Sequence, residues 1–261
     1  MTPASARGTH VGARPDVADM TTRAVFFDVD FTLIYPGPTF QGEGYRRFCA
    51  KHGMQVDAGA FTRAVAAASS LLEDAKGQRY DPQLFIDYTR RIIEEMGGSG
   101  PGLDACTREM YEEWAGCQHF SLYDDVEPVF RELSGRGIRI GLISNTHRSL
   151  ASFQSHFELD DLVTGAISSS DHGYMKPHPS IFQAALDLLG VGAGESVMVG
   201  DSPADDIEGA RRIGMRAVLL RRSGVRPRWS EARLDDVPVI RNLHELPALV
   251  CHEPGAGHRD S

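Results

Sequence analysis

Residues 24–33 read Ala-Val-Phe-Phe-Asp-Val-Asp-Phe-Thr-Leu, an apolar run that ends in two aspartates separated by one residue. The run predicts a buried strand. Because alternate residues of a strand point to the same side, Asp28 and Asp30 can both face one site at its carboxyl end. Like charges held this close are costly unless a cation or a shared proton offsets them. The stretch therefore indicates a divalent metal, acid–base chemistry or both, and a solvated turn is the alternative that the motif alone leaves open.

Two further apolar runs end in polar residues. Residues 138–145 end in Ser144 and Asn145, and residues 196–202 end in Asp201 and a hydroxyl. Other charged residues lie between or just after these runs, namely Lys176, Asp205 and Asp206. In open parallel sheets, ligands bind beyond the carboxyl ends of the strands. We therefore expect these side chains to meet at one edge of a sheet.

Short apolar runs alternate with helical patterns through most of the chain. The runs are typical of strands buried on both faces, and they predict strands at 24–31, 138–144, 162–168, 196–200 and 216–220. Helical stripes lie between the later ones, with Pro179 near the start of one stripe and Gly190 just past its end. This alternation predicts an α/β fold, with right-handed crossovers and a parallel, Rossmann-like, doubly wound sheet.

The interval from about residue 40 to residue 120 contains helical stripes and no convincing strand. Its apolar stripes are more typical of the core of a small bundle than of a cofactor site. The predicted division of the chain is a disordered leader at 1–22, a core at 23–38 and 121–250, an inserted all-helical domain at 39–120, and a disordered tail at 251–261.

The order and spacing of these motifs resemble those of the haloacid dehalogenase superfamily of hydrolases, over residues 24 to 221. In that family the helical insertion resembles a C1-type cap over the active site. The resemblance implies that Asp28 is a nucleophile, and a carboxylate can attack a phosphoryl group to form an aspartyl-phosphate. Asp30 would then give a proton to the leaving alkoxide and later take one from water. Lys176 would neutralise the transferring phosphoryl oxygens.

The resemblance also implies a Mg²⁺ cofactor and a phosphate site. The expected metal ligands are the side chains of Asp28 and Asp201 and the backbone carbonyl of Asp30, since Mg²⁺ prefers oxygen ligands. The predicted phosphate-binding groups are the Ser144 hydroxyl, backbone N–H groups near Asn145, Lys176 and Thr32. For the Thr32 hydroxyl, a structural role stays an equal alternative. Asp206 is predicted as a supporting acid that partners Lys176, and Asp205 as a charge at a helix N-terminus.

Composition excludes several other classes of function. The 261 residues carry a net charge of −9 with a pI near 5.6, so no basic footprint indicates nucleic acid or an anionic membrane. No apolar run approaches the length of a membrane span. The cysteines are scattered without a zinc pattern, at Cys49, Cys106, Cys117 and Cys251. Free thiols in a reducing cytoplasm are the expectation.

The favoured function is a phosphatase of a small phosphorylated metabolite, because true dehalogenases of the superfamily lack an acid at the position of Asp30. A phosphomutase and a non-catalytic interaction protein on the same scaffold remain alternatives. Phe31 departs from the family pattern, which has Gly, Asp or Asn there; it either packs under the flap after Leu33 or narrows the site. The sequence leaves the substrate and the oligomeric state open.

Overall fold

The central layer of the protein is a six-stranded, fully parallel sheet. A computed structural model describes residues 21–222 and 236–251. The spatial order is β5-β4-β1-β6-β7-β8, and the strands are β1 (Ala24–Phe27), β4 (Arg139–Ser144), β5 (Gly165–Ser168), β6 (Ser196–Gly200), β7 (Arg216–Leu220) and β8 (Val239–Ile240). The predicted α/β class and parallel sheet are confirmed.

The first strand lies in the middle of this sheet, hydrogen-bonded to β4 on one side and to β6 on the other. Val25 and Phe27 point into one hydrophobic cluster, in which the Phe27 ring lies 4.8 Å from the Phe130 ring. Phe26 points into the opposite cluster, with Phe182. Both faces are therefore buried, which explains why the strand reads as a continuous apolar run rather than an alternating one.

Helices cover the two faces of the sheet. They are α5 (Val126–Gly135), α6 (Leu150–His156), α7 (Ser169–His172), α8 (Pro179–Leu189), α9 (Gly209–Arg212) and α10 (Leu246–Val250). The ends of α8 follow from its sequence. The His178 side chain caps the first turn, Pro179 occupies a position whose N–H needs no partner, and Gly190 adopts the left-handed conformation at the end (φ +61°).

The helical insertion follows β2 (Ile34–Pro36) and returns through β3 (Phe120–Leu122), an antiparallel pair that joins it to the core. It consists of α1 (Gly42–Lys51), α2 (Phe61–Asp74), α3 (Pro82–Glu95) and α4 (Leu103–Trp114). We refer to these four helices and their loops as the cap, and we propose 39–120 as its extent. The core would then comprise 23–38 and 121–250.

The cap also touches the core far from β2 and β3, at the loop between α2 and α3. The Met175 N–H donates to the Gln78 carbonyl (3.0 Å), and the Tyr80 N–H donates to the Gly173 carbonyl (3.0 Å). The cap therefore bonds directly to the segment that leads to Lys176. Among the described helices, none has the length and apolar composition that crossing a membrane requires.

Several details differ from the sequence prediction. The first strand ends at Phe27 rather than at residue 31, so Asp28 lies just beyond it and Asp30 forms only an isolated bridge with Ile34. The predicted leader and tail fall mainly on 1–20 and 252–261, which lie outside the described residues. Thr22, which the prediction assigned to the leader, is buried and accepts a hydrogen bond from Arg216.

Candidate active site

The predicted polar residues meet at the carboxyl edge of the sheet, beneath the cap. Asp28 follows β1, Ser144 ends β4 and Asp201 follows β6, so the parallel arrangement places all three at one edge. They line a cleft of about 1600 Å³ between cap and core, together with Asp30 and Lys176. The structure therefore brings these five predicted residues together in one cleft.

Lys176 is the centre of the hydrogen-bond network in this cleft. Its Nζ donates to Asp28 Oδ1 (2.7 Å), to Asp206 Oδ1 (2.7 Å) and to the Ile143 carbonyl (2.8 Å), and the residue is only 2% exposed. An ammonium group has three N–H donors, so each one has an acceptor. The lysine is thereby fixed beside Asp28 with its charge turned toward the acids.

Burial and charge act in opposite directions on these groups. Burial raises the pKa of Asp28 to about 7, against the lowering effect of Lys176 and with a further contribution from the Asp206 charge. Burial also raises the pKa of Asp206, again opposed by Lys176. Burial lowers the pKa of Lys176, but the two carboxylates outweigh it and the pKa lies above its usual value. One ammonium therefore does not fully offset the buried acids, and an added cation would.

The chemistry of the acids fits a metal ion. Asp28, Asp201 and Asp206 each offer one carboxylate oxygen, and these oxygens lie within 4.8 Å of one another. Carboxylates are hard oxygen ligands of the kind that Mg²⁺ binds. The group contains Asp206 in addition to the two predicted side-chain ligands. Asp206 is already engaged, since Oδ1 accepts from Lys176 and Oδ2 accepts from the Ser202 N–H (2.9 Å).

Ser144 has the properties expected of a phosphate-binding hydroxyl. It is 1% exposed, it lines the cleft, and its Oγ has no hydrogen-bond partner among the described residues. A buried hydroxyl without a partner is costly, and a phosphate oxygen in the cleft would supply one. The Thr32 hydroxyl is also buried without a partner among the described residues, but Thr32 does not line the cleft; its carbonyl accepts hydrogen bonds from Arg222 (2.8 and 3.1 Å).

Asn145 uses its side chain to hold the backbone of Lys176. Its carboxamide donates to the Lys176 carbonyl (3.1 Å) and accepts from the Lys176 N–H (2.7 Å). The side chain is therefore occupied by the protein itself. The predicted phosphate contact, through backbone N–H groups near Asn145, stays a prediction.

Asp205 forms the reciprocal contacts of a helix N-terminus with Ser202. The Ser202 Oγ donates to Asp205 Oδ2 (3.1 Å) and accepts from the Asp205 N–H (3.1 Å). Phe31, in contrast, has an unusual backbone: its φ is +68°, in the left-handed region that favours glycine, and it lines the cleft. Glycine and asparagine adopt this conformation more readily than phenylalanine does, so the small or polar residue expected at this position would fit the backbone seen here.

Arg148 is a residue of the site that the sequence did not predict. This arginine is 1% exposed, and its Nη1 donates to Asp30 Oδ1 at 2.8 Å. Arginine is among the residues least often buried without a partner. The only available signal was a basic residue shortly after Asn145, which in a sequence cannot be distinguished from a surface arginine.

Comparison with known proteins places this architecture in a family. The family model of the haloacid dehalogenase-like hydrolases matches residues 22–214. That range contains the whole cap and every site residue described above. The chain belongs to this family of hydrolases.

Individual relatives narrow the comparison. The chain is 30% identical over 246 residues to a phosphoserine phosphatase from Thermus thermophilus, which covers 82% of this chain and 94% of that protein. It is 30% identical over 243 residues to the human N-acylneuraminate-9-phosphatase, covering 87% and 93%. A HAD phosphatase from Thermococcus onnurineus has the same fold, with a TM-score of 0.60, 25% identity and coverage of 89% and 99%. Solved 2-haloacid dehalogenases share the fold as well.

Proposed function

We propose that this protein is a Mg²⁺-dependent phosphatase that hydrolyses a small phosphorylated metabolite through an aspartyl-phosphate. The observation that carries the proposal is the pairing of Asp28 with Lys176 at 2.7 Å, in a cleft where the buried Ser144 hydroxyl has no partner among the described residues. A carboxylate nucleophile, a fixed cation and a hydroxyl donor together fit a tetrahedral anion.

In the first step, a carboxylate oxygen of Asp28 attacks phosphorus while the bond from phosphorus to the leaving oxygen breaks. Asp30 gives its proton to that oxygen, so the leaving group departs as a neutral alcohol. Ser144 donates to a phosphoryl oxygen, whose charge builds in the transition state, and the Lys176 N–H that Asp28 accepts before the attack turns to a second phosphoryl oxygen. The product is an acyl phosphate on Asp28.

In the second step, water attacks the phosphorus of the acyl phosphate. Asp30, now ionised, takes a proton from that water, and the bond between phosphorus and the Asp28 oxygen breaks. Inorganic phosphate leaves and both carboxyl groups return to their starting states. Asp28 and Asp201 would hold Mg²⁺ with the backbone carbonyl of Asp30, and Asp206, which already accepts from Lys176 and Ser202, would lie beside them as the supporting acid. The bound ion supplies positive charge that offsets the acids and the phosphate dianion.

Asp30 favours a phosphatase over a dehalogenase, because an alkoxide leaving group needs a proton and a halide does not. The relatives above act on phosphoserine and on an N-acylneuraminate 9-phosphate, which supports a small phosphorylated metabolite as the substrate. We infer no nucleic-acid or membrane partner, in keeping with the net charge of −9. All four cysteines are free thiols, which supports a reducing, cytoplasmic location.

The proposal is tested by phosphate release from a panel of phosphorylated metabolites, first with Mg²⁺ and then with excess chelator. We expect release that chelator abolishes, and that the Asp28→Asn variant lacks although it folds. Release of free phosphate at the rate of substrate loss would exclude a phosphomutase. No release from any compound would overturn the proposal and favour the interaction protein.

A further inference from the structure

Arg148 is a fully buried arginine that no step of the proposed reaction uses. Its guanidinium donates from Nη1 to Asp30 Oδ1 (2.8 Å) and from Nη2 to the Trp114 carbonyl (2.9 Å). The guanidinium carbon lies 4.2 Å from the centre of the Phe120 ring, within the range of a cation–π contact. Burying a charge is expensive unless it is paired and hydrogen-bonded, so an arginine kept here has a specific task.

We propose that Arg148 is a positioning residue for Asp30, and that it couples the orientation of the Asp30 carboxylate to the junction between cap and core. This inference rests on the proposed function, in which Asp30 exchanges protons with the leaving group and with water. Arg148 does not line the cleft, whereas Asp30 does, so the arginine acts through the aspartate.

The contact with Asp30 restrains the carboxylate at one oxygen. A free aspartate can rotate about both side-chain torsions, and a general acid is effective only within hydrogen-bond reach of its proton acceptor. The hydrogen bond from Arg148 holds the Oδ1 atom of Asp30 from the core side. A rigid guanidinium fork holds such a geometry better than a lysine ammonium, which is a point charge on a flexible stem.

The other two contacts of Arg148, with Trp114 and Phe120, are made to the segment by which the chain returns from the cap to the core. Trp114 is the last residue of α4, and Phe120 begins β3, so Arg148 contacts both ends of the connection. The Trp114 and Phe120 rings also pack on each other, with centroids 5.0 Å apart. A movement of the cap relative to the core would therefore shift the groups that hold Arg148, and through it Asp30.

The test compares two substrates that differ in their need for a proton. An alkyl phosphate requires protonation of its leaving oxygen, whereas p-nitrophenyl phosphate releases a stable anion. For Arg148→Met we expect kcat/KM for the alkyl phosphate to fall about 100-fold, the low end of the general acid range. For p-nitrophenyl phosphate it should fall less than about fivefold, because only the proton transfer is affected. Equal losses on both substrates would overturn the inference.

Arg148→Lys retains the charge and can make one of the two side-chain hydrogen bonds, so it should restore part of the lost alkyl phosphatase activity. Arg216→Met is the control for the removal of an arginine away from the site. Arg216 begins β7, is half-buried and donates to the Thr22 hydroxyl. The Arg216→Met variant should lower the Tm while leaving the ratio of the two kcat/KM values unchanged.

A double-mutant cycle with Asp30→Asn separates positioning from general destabilisation. If Arg148 acts through Asp30, adding Arg148→Met to Asp30→Asn should cause no further loss on the alkyl phosphate. Multiplicative losses would contradict the inference. If the wild-type protein releases phosphate from neither substrate, the proposed function fails. A crystal structure of Arg148→Met then tests the positioning role by itself. A displaced Asp30 side chain would support that role, and an unmoved Asp30 side chain would overturn it.

Discussion

Asn145 and Lys176 are joined by two hydrogen bonds, from the Asn145 carboxamide to the Lys176 carbonyl and from the Lys176 N–H back to the carboxamide oxygen. The residue directly after β4 thus fixes the backbone of the lysine that pairs with the proposed nucleophile. The two residues lie 31 positions apart in the chain, so the pair also links two loops of the site.

Asn145→Ala should therefore lower both activity and stability. Two hydrogen bonds are lost, and two backbone groups of Lys176 are left without that partner. We expect about 1–3 kcal/mol lower free energy of unfolding and a fall in kcat of at least about tenfold, because the lysine is no longer held in place. Urea unfolding and steady-state kinetics measure both. Gln154→Ala, which removes one local hydrogen bond in α6, is the control and should leave kcat unchanged.

The raised pKa of Asp28 predicts a pH-dependent stability in the metal-free protein. A carboxyl group whose pKa rises on folding from 3.8 to about 7 adds stability below pH 4, and this stability is lost as the pH rises toward 7. Asp28→Asn cannot titrate. As the pH rises across this window, the free energy of unfolding of Asp28→Asn should therefore increase relative to that of the wild type. The increase should be up to about 4 kcal/mol for a pKa shift of this size.

The measurement is urea unfolding of both proteins in chelator at several pH values between 4 and 8. A difference that stays constant with pH would contradict the raised pKa of Asp28. With saturating Mg²⁺ the trend should weaken, because a bound cation stabilises the ionised carboxylate.

Magnesium should stabilise the folded protein through the three-acid group. Ligands that bind only the folded state raise the free energy of unfolding, by about 2.7 kcal/mol at one hundred times Kd. We expect a Mg²⁺-dependent rise in Tm that Asp201→Asn abolishes. Asp205→Asn, an acid on the same segment that lies outside the three-acid group, should retain the rise. Equal rises in the wild type and in Asp201→Asn would exclude this metal site.

The protein should tolerate replacement of Phe31 by asparagine, although the same replacement of an ordinary half-buried aromatic residue is destabilising. Its φ of +68° lies in the left-handed region, which costs about 1–2 kcal/mol for most side chains and less for asparagine. We expect Phe31→Asn to leave the Tm equal to or above that of the wild type, since relief of strain offsets lost contacts.

Phe48→Asn is the matched control, because Phe48 is also half-buried but lies within α1. It should lower the Tm clearly, as the loss of an aromatic side chain from a helix contact usually does. If both variants lose the same stability, the backbone of Phe31 is not strained.

The sequence predicted the sheet because its central strands are buried on both faces and carry unbroken apolar runs. Strands β2, β3 and β8 were not predicted, because they have only two or three residues each and show no hydrophobic periodicity. The prediction also extended β1 to residue 31, because apolar residues such as Val29 and Leu33 continue past Phe27 although the backbone already turns there.

For the site, the motifs placed Asp28, Ser144, Lys176 and Asp201 at one edge because parallel strands bring their carboxyl ends together. The orientation of each side chain depends on contacts between distant segments, which spacing does not encode. Arg148 and Asp30, 118 positions apart, are the clearest example. The conformation of Phe31 could be suspected only from the residue types that similar sequences use there.

The junction strands have a consequence for engineering. Pro36 and Phe120 are paired across the antiparallel ladder of β2 and β3. The chain therefore leaves the core for the cap, and returns from it, at two points about one strand spacing apart. A foreign cap whose ends have that separation could be transplanted between these two residues without altering the order of the central strands. Such a chimaera would also have to reproduce the backbone bonds of Gln78 and Tyr80, the second anchorage of the cap, to keep the approach to Lys176 in place.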